Sequence, residues 1–598
     1  MTSNRSPRRT QTRSRTQATR WQDTIITLAD PMKRGTILMI LTAVIFSVFA
    51  GRLIELQAVR GEALAAEALN QRLKVQPLMP QRGAILDARG EPLALTVESR
   101  NITIDQTLVT DPAAAAVQLA PLIDQDVTAI KERMTGTRRF VYLAKGLTPE
   151  KWREISALRI PGVFSQEDSR RVYPAGAVAA NVVGFLGADG VPLAGLEYGM
   201  NSTLSGTPGE RTYERGPGGR VIPTAVSSRV DPEAGRTVHL SINRDIQHVA
   251  QQVIADQVKR TKADSGTVVV MNPKNGDILA LATAPTFDAN APGDFDVEHR
   301  GNRALTDIFE PGSTSKVLTL AAVVDRGKGT PYTPITVPPV LNRGGKDFTD
   351  PVKQGKTRMT LAGIMAKSSN IGTILAAERI GRKQLSRYLK RFGVGRSLGL
   401  GFPGESSGYA PPVENWTATS LPTIAFGQGI SMNAVQATSI FSTIANDGVR
   451  VPPRLITGYS DPDGDFEPSP VSEGKRAVKA GTAKQVRAML EAAVREGGTG
   501  TNAAIPGYRV GGKTGTAQYV DPKTGTYGRG VMASFIGMAP IDAPELVVGV
   551  FLMNPKAGRY GGQVAAPVFK RVLTYALQAE RVPPTGTKAR KLPLYSGG

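Results

Sequence analysis

Seventeen consecutive uncharged residues, Gly35 to Gly51, constrain this chain more than any other feature. Wound as a helix, GTILMILTAVIFSVFAG spans about 26 Å, close to the hydrocarbon thickness of a bilayer. Leu53 and Ile54 extend it past Arg52. Residues 1–35 carry eight Lys/Arg against two Asp. A basic flank orients such a helix with its N-terminus in the cytoplasm and everything after it outside. We read 36–54 as an uncleaved transmembrane anchor and 1–35 as a basic, disordered cytoplasmic tail. Competing readings are a buried core helix and a cleaved signal peptide ending near Val48 and Ala50. The long Arg-rich leader argues against both.

The chain as a whole is globular in composition, with 40% hydrophobic and 21% charged residues. Cysteine is absent, and the only histidines are His239, His248 and His299. Thiol catalysis, disulfide frameworks and Cys-based metal sites are excluded. Scattered histidines weaken both a His-based metal site and a Ser-His-Asp triad. We expect no metal and no cofactor. A serine enzyme built from this chain needs another base, and lysine is the candidate. The formal charge of +22 invites a nucleic-acid reading. Ten of those charges, however, lie in residues 1–35 and in 581–598, which hold four bases and no acid. We therefore expect membrane contact and no nucleic acid.

The pattern along the chain predicts an α+β protein. Glu62–Leu78 has helical spacing, and 82–230 holds short apolar alternations between Gly/Pro turns. Ser205–Pro223 reads as a loop or linker. A boundary near 235 separates a β-rich non-catalytic pedestal, 55–235, from a second domain, 236–580. That domain opens with a helix at Arg244–Lys262. A hairpin comes next, around Asn272-Pro-Lys-Asn-Gly276. Helices are expected at 313–327, 361–378, 383–392 and 434–446, and strands at Arg509–Val520, Met532–Met538 and Leu546–Met553. A last helix spans Pro567–Glu580, and 581–598 is a disordered tail. Strands at both ends with helices between imply one antiparallel sheet closed by the two ends of the domain.

Chemistry concentrates in three short motifs. In Glu310-Pro-Gly-Ser313-Thr-Ser-Lys316 the serine sits at a helix start, and Lys316 lies one turn on, on the same face. A helix N-terminus suits an oxyanion, and a neutral Lys316 could take the Ser313 proton. A chain this long holds about two S-x-x-K by chance, and Ser472-Glu-Gly-Lys475 is such a decoy. Ser368-Ser-Asn370 and Lys513-Thr-Gly-Thr516 add a second hydroxyl, an amide, a second ammonium and two further hydroxyls. Lys523-Thr-Gly-Thr526 reads as a hairpin tip. Ser431-Met-Asn433 is a second S-x-N in the wrong setting.

In this order, Ser313-x-x-Lys316, Ser368-x-Asn370 and Lys513-Thr-Gly515 resemble the three motifs of penicillin-binding proteins and serine β-lactamases. The flanks resemble class B penicillin-binding proteins of the cell-division, FtsI-like type over about 36–580. They include Gln81-Arg-Gly-Ala-Ile-Leu-Asp87, Arg171-Val-Tyr-Pro174, Asn181-Val-Val-Gly184 and Gly195-Leu-Glu197. Asn302-Arg-Ala304, Phe426-Gly-Gln-Gly429 and Tyr560-Gly-Gly562 continue them. The resemblance implies a pedestal or dimerisation domain and a transpeptidase domain related to serine β-lactamases. It makes Ser313 the acylated nucleophile, Lys316 its base, Ser368 a proton relay and Lys513 an electrostatic residue. Asn370, Thr514, Gly515 and Thr516 would hold substrate. The implied reaction is septal D,D-transpeptidation of peptidoglycan stem peptides, blocked by β-lactams. A glycan polymerase and other division membrane proteins are the implied partners. Alternatives are an elongation-type transpeptidase, a β-lactamase or D,D-carboxypeptidase, and a non-catalytic penicillin-binding receptor. The long pedestal and anchor argue against the hydrolases, and a receptor would need a cytoplasmic signalling module.

Overall fold

The computed structural model describes residues 31–216, 222, 227–520 and 527–597. Residues 1–30 of the expected tail 1–35 and the decoy Lys523–Thr526 lie outside the described residues; 31–35 already belong to a helix. Contacts divide the chain into two units: residues up to Pro77 with Glu210–Val230, and Leu78–Gly209 with Asp231 onward.

In the first unit a helix runs Pro31–Ile54, and its large apolar side chains, among them Ile37, Leu38, Phe46 and Phe49, face outward with none buried. It is the one helix among the described residues long and apolar enough to cross a membrane. A surface of that extent is unsustainable in water, so this is a single-pass membrane protein. The stretch read as helix at Glu62–Leu78 divides. Gly61–Arg72 is helical, and Leu73–Leu78 is a strand in a three-stranded sheet with Gly209–Glu214 and Ser228–Val230. Pro77 and the alternation before it favour the extended form. The expected linker 205–223 thus contains a strand.

The second unit contains a β-rich region and a larger α+β region. Strand Pro92–Ile104 pairs with both Val141–Leu147 and Val163–Val172. Its apolar residues Ile102 and Ile104 bury against Leu119, Ile130 and Ile155. The position proposed as a boundary, 235, is not a break in this sheet. Thr237–Leu240 runs parallel to Ile85–Leu86 and antiparallel to Ile456–Ser460, so the sheet crosses it. Polar side chains brace the β-rich region and join it to the larger one. Glu197, with 0% of its side chain exposed, receives Arg82 at 2.6 Å and Arg171 at 2.7 Å. Asn181 donates to the carbonyls of His299 and Gly301, and Asn302 donates to that of Asn181. Asn181 and Asn302 of the flanking motifs therefore join the two regions, while Arg82, Arg171 and Glu197 brace the first.

The larger region is built on a five-stranded antiparallel sheet: β1 Ser265–Met271, β2 Ile278–Ala284, β3 Gly511–Val520, β4 Tyr527–Ala539 and β5 Leu546–Met553, in order β2-β1-β5-β4-β3. The expected hairpin forms, with Val269 opposite Leu281. Val268 and Val270 face one core with helices Arg244–Thr261 and Ala566–Ala579, while Val269 and Met271 face another. Both faces of the sheet are covered, which explains its continuous apolar strands. Into the second core run α1 Lys316–Asp325, α2 Leu361–Lys367, α3 Asn370–Glu378 and α4 Ala480–Val494.

Three features depart from the sequence reading. The helix expected over 361–378 breaks at Ser368, with no Gly or Pro to announce it. Helix α4 has no counterpart among the expected elements: it starts on Lys479 without a side-chain cap and carries Gly481 in its first turn. Residues 582–596 are not a disordered tail: they hydrogen-bond along the domain at Gly507, Tyr508, Thr360 and Arg358.

Candidate active site

A short 3-10 turn, Gly312–Ser315, runs directly into α1. Ser313 is thereby half-exposed at the helix mouth, and Lys316, one turn inside, is wholly buried. The Gly312 N–H donates to the Gly427 carbonyl at 3.0 Å. A Cβ on Gly427, where φ is +89°, would sit 2.2 Å from the Gly312 carbonyl oxygen. The Phe426-Gly-Gln-Gly429 segment therefore fixes the turn that presents Ser313.

Ser368 closes α2 in the left-handed region, φ +61°. Such backbone costs about 1–3 kcal/mol in a non-glycine residue and persists where its surroundings hold it. Here the holding groups are lysines. Lys316 Nζ lies 2.6 Å from the Ser368 carbonyl oxygen, 3.3 Å from its Oγ and 2.7 Å from Asn370 Oδ1. Lys513, on β3, donates to Ser368 Oγ at 2.9 Å and to the Thr514 carbonyl at 2.9 Å. One serine hydroxyl thus lies between two buried lysines.

That burial sets their charge. Lys513, removed from water, is lowered from 10.5 to about 7. Lys316 falls well below its ordinary value, first through burial and then through the neighbouring Lys513 charge, with Asp350 opposing. Two ammonium groups in so small a dry volume repel each other, which favours the neutral amine at Lys316.

Strand β3 forms the sheet edge, and the Ser313 turn packs beside it. Gly515 permits the approach: a Cβ there would lie 2.2 Å from Ser534 Oγ and 2.9 Å from Thr314 Cγ2. Thr516 Oγ1 accepts from the Gly561 N–H at 3.3 Å, bringing Tyr560-Gly-Gly562 to the same edge. The Thr514 hydroxyl is shared with Thr499 at 2.8 Å. The structure therefore gathers Ser313, Lys316, Ser368, Asn370, Lys513, Thr514, Gly515 and Thr516 around one cleft. The decoys stay away. Asn433 is buried as the cap of helix Ala434–Ala445, and Lys475 lies on an exposed two-residue strand.

Comparison with known proteins adds the decisive observation: residues 266–574 match the model of the penicillin binding protein transpeptidase domain. The chain belongs to the penicillin-binding protein transpeptidase family. Residues 77–240 match the dimerisation domain of the same proteins. Among relatives, the chain is 36% identical over 571 residues to penicillin-binding protein PbpB of Mycobacterium tuberculosis, covering 90% of this chain and 84% of that one. It is 32% identical over 543 residues to peptidoglycan D,D-transpeptidase FtsI of Escherichia coli, covering 89% and 90%. A solved structure of penicillin binding protein 3 from M. tuberculosis, in complex with aztreonam, superposes with TM-score 0.69 at 32% identity. That match covers 87% of this chain and all of the other.

Within this penicillin-binding protein, two site residues escaped the sequence reading. Asp350 accepts from Ser369 Oγ at 2.7 Å and from the Ile371 N–H at 2.9 Å, pinning the start of α3 and with it Asn370. It stands in Phe348-Thr-Asp-Pro351, a polar loop with no spacing signal. Thr499 lies in Gly497-Gly-Thr-Gly500, which reads only as a turn. Glu310 accepts from the Gly429 N–H at 2.7 Å and the Tyr527 hydroxyl at 2.9 Å, tying β4 to the segment before Ser313. Burial raises the Glu310 pKa.

Proposed function

We propose that this chain is a membrane-anchored peptidoglycan D,D-transpeptidase of septal wall synthesis, acting through an acyl-enzyme on Ser313. The observation that carries the reading is the buried chain Lys316–Ser368–Lys513 behind a half-exposed Ser313. A neutral Lys316 takes the Ser313 proton, and Oγ attacks the carbonyl of a terminal D-Ala–D-Ala bond. The main-chain N–H groups of Ser313 and Thr516 receive the oxyanion. Ser368, ordered by Lys513, passes a proton to the nitrogen as the C–N bond breaks, and D-alanine departs. An amine of a neighbouring stem peptide then attacks the ester, and the Ser313 oxygen recovers a proton. Asn370 holds the donor backbone, and the hydroxyls of Thr514 and Thr516 hold its terminal carboxylate.

The same site takes β-lactams as mimics of the donor; the aztreonam complex of the M. tuberculosis relative supports this. Likeness to PbpB and FtsI supports the division role over elongation. The basic residues before the anchor support an orientation with its N-terminus inside and the catalytic domain outside. We assign glycan polymerisation to a partner membrane protein of the division apparatus.

Labelled penicillin should acylate the full-length protein in membranes and leave Ser313→Ala unlabelled. Label on the variant would move the nucleophile elsewhere. The adduct should last for hours; its loss within seconds would make the protein a hydrolase.

A further inference from the structure

The C-terminal segment touches both halves of the cleft from behind. At one end the Tyr508 hydroxyl donates to the Val582 carbonyl, and the Thr585 N–H donates to that of Gly507. Arg509 donates to Thr587 Oγ1 at 2.9 Å. Tyr508 and Arg509 lead directly into β3, which carries Lys513. At the other end Thr360 donates through its N–H to the Leu594 carbonyl at 3.1 Å and through Oγ1 to that of Pro593 at 2.7 Å. Tyr595 bridges Met359, and the Ser596 N–H donates to the Arg358 carbonyl. Thr360 caps α2, whose far end is Ser368.

Between these attachments the segment borders a cavity. Thr587, Arg590 and Leu592 form one wall of this space of about 740 Å³, with Lys484, Ala488 and Glu491 of α4 on another. Arg590 lies over the Tyr332 ring and Leu592 touches the core, so residues 588–591 form a bridge with sparse contacts between well-bonded ends. Helix α4 lies against α2, α1 and β3 alike.

We propose that residues 582–597 form a tie between β3 and α2 that sets the spacing at which Lys513 and Lys316 share Ser368. Thr360 is its positioning residue at the α2 end. The inference rests on the acyl-enzyme reading above. A misplacement of about 1 Å between reacting groups costs on the order of a hundredfold in rate, so a modest drift of α2 against β3 is measurable.

Gly363 offers a way to lift the tie without shortening the chain. A Cβ there would lie 1.8 Å from the Leu594 carbonyl oxygen, and the three nearest atoms all belong to Leu594. Gly363→Ala leaves α2 a better helix former while displacing the segment. Measured on the full chain in detergent, its second-order acylation constant with labelled penicillin should fall roughly tenfold. The pH midpoint of acylation should shift, because the two lysines no longer hold their spacing. Truncation after Arg581 should act in the same direction, with a synthetic 582–597 peptide restoring part of the rate. Thr360→Ser, which keeps the hydroxyl, and Lys588→Ala, an exposed position, should match the wild type. Wild-type rate and pH dependence in both Gly363→Ala and the truncated protein would overturn the tie. So would a loss explained wholly by a smaller fraction of active protein. Failure of wild type itself to acylate would instead fault the acyl-enzyme reading.

Discussion

Two buried charge clusters in the second unit make opposite use of the same interior. In the β-rich region, Glu197 is wholly enclosed, and two arginines neutralise and hydrogen-bond it. In the cleft, Lys316 and Lys513 are wholly enclosed too, but their closest partners are a serine hydroxyl, an amide oxygen and carbonyls. The first cluster sets opposite charges against one another and locks the segments of Arg82, Arg171 and Glu197 together. The second cannot satisfy two ammoniums, so it surrenders protons. Burying charge yields rigidity when signs are opposed and basicity when they are alike.

The strongest way to break this contrast is to remove one member from each cluster. Lys316→Met should lower penicillin acylation by about 10²–10⁴-fold, the scale of a lost general base. Its thermal midpoint should stay level or rise, since a buried amine is replaced by a well-packed thioether. Glu197→Ala should do the reverse, costing about 3–5 kcal/mol by stranding two arginines while the folded fraction still acylates at Ser313. Unfolding midpoints and burst titration with labelled penicillin separate the two. A Lys316→Met protein that unfolds early would dissolve the comparison.

Next in size is the effect of pH. Because the folded Lys513 sits near 7 and the unfolded chain near 10.5, the unfolded state holds the extra proton between them. Stability from this group therefore rises with pH across that window and is lowest below it. Lys513→Met should flatten the rise in denaturant midpoints. Acylation should follow a bell, with an acid limb as Lys316 protonates and an alkaline limb near 7 as Lys513 loses its charge. Lys513→Arg should push the alkaline limb beyond the measurable range.

Smaller still is the loss of a supporting carboxylate. Asp350→Asn keeps one acceptor for the α3 N-terminus and should slow acylation by roughly tenfold, about 1.4 kcal/mol. At the bottom, the exposed Lys556–Asp264 pair should be worth less than about 1 kcal/mol and leave acylation untouched. A measurable rate effect there would show that charge acts over longer range than the cleft geometry suggests.

The sequence made the chemistry more legible than the architecture around it. S-x-x-K, S-x-N and K-T-G have fixed spacings because each lies within four consecutive residues, and such short stretches of geometry write themselves into local sequence. Ser313, Lys316 and Lys513 are visible for that reason. Asp350 is not, since its partners Ser369 and Ile371 lie far along the chain and nothing in Thr349-Asp-Pro351 marks it. Helix α4 lacks a cap and begins with Ala480-Gly481, so tertiary packing on α2 and β3 decides its form. The break at Ser368 is invisible for a related cause: a left-handed serine is held by two lysines that local propensity knows nothing about. Ordering of 582–597 depends on hydrogen bonds to Thr360 and Tyr508, which composition cannot report.

Among the described residues β3 is an unpaired sheet edge, and that has one more consequence. Such an edge reads another chain by its main-chain amides and carbonyls, so it is nearly blind to side-chain identity. A cross-linking enzyme with this edge tolerates drift in the composition of the wall peptides it joins. The same indifference admits any rigid molecule that offers an amide and a carboxylate at the right separation. Escape from such an impostor must then come from reshaping the loops that frame the strand, because the strand's own grammar is shared by guest and substrate.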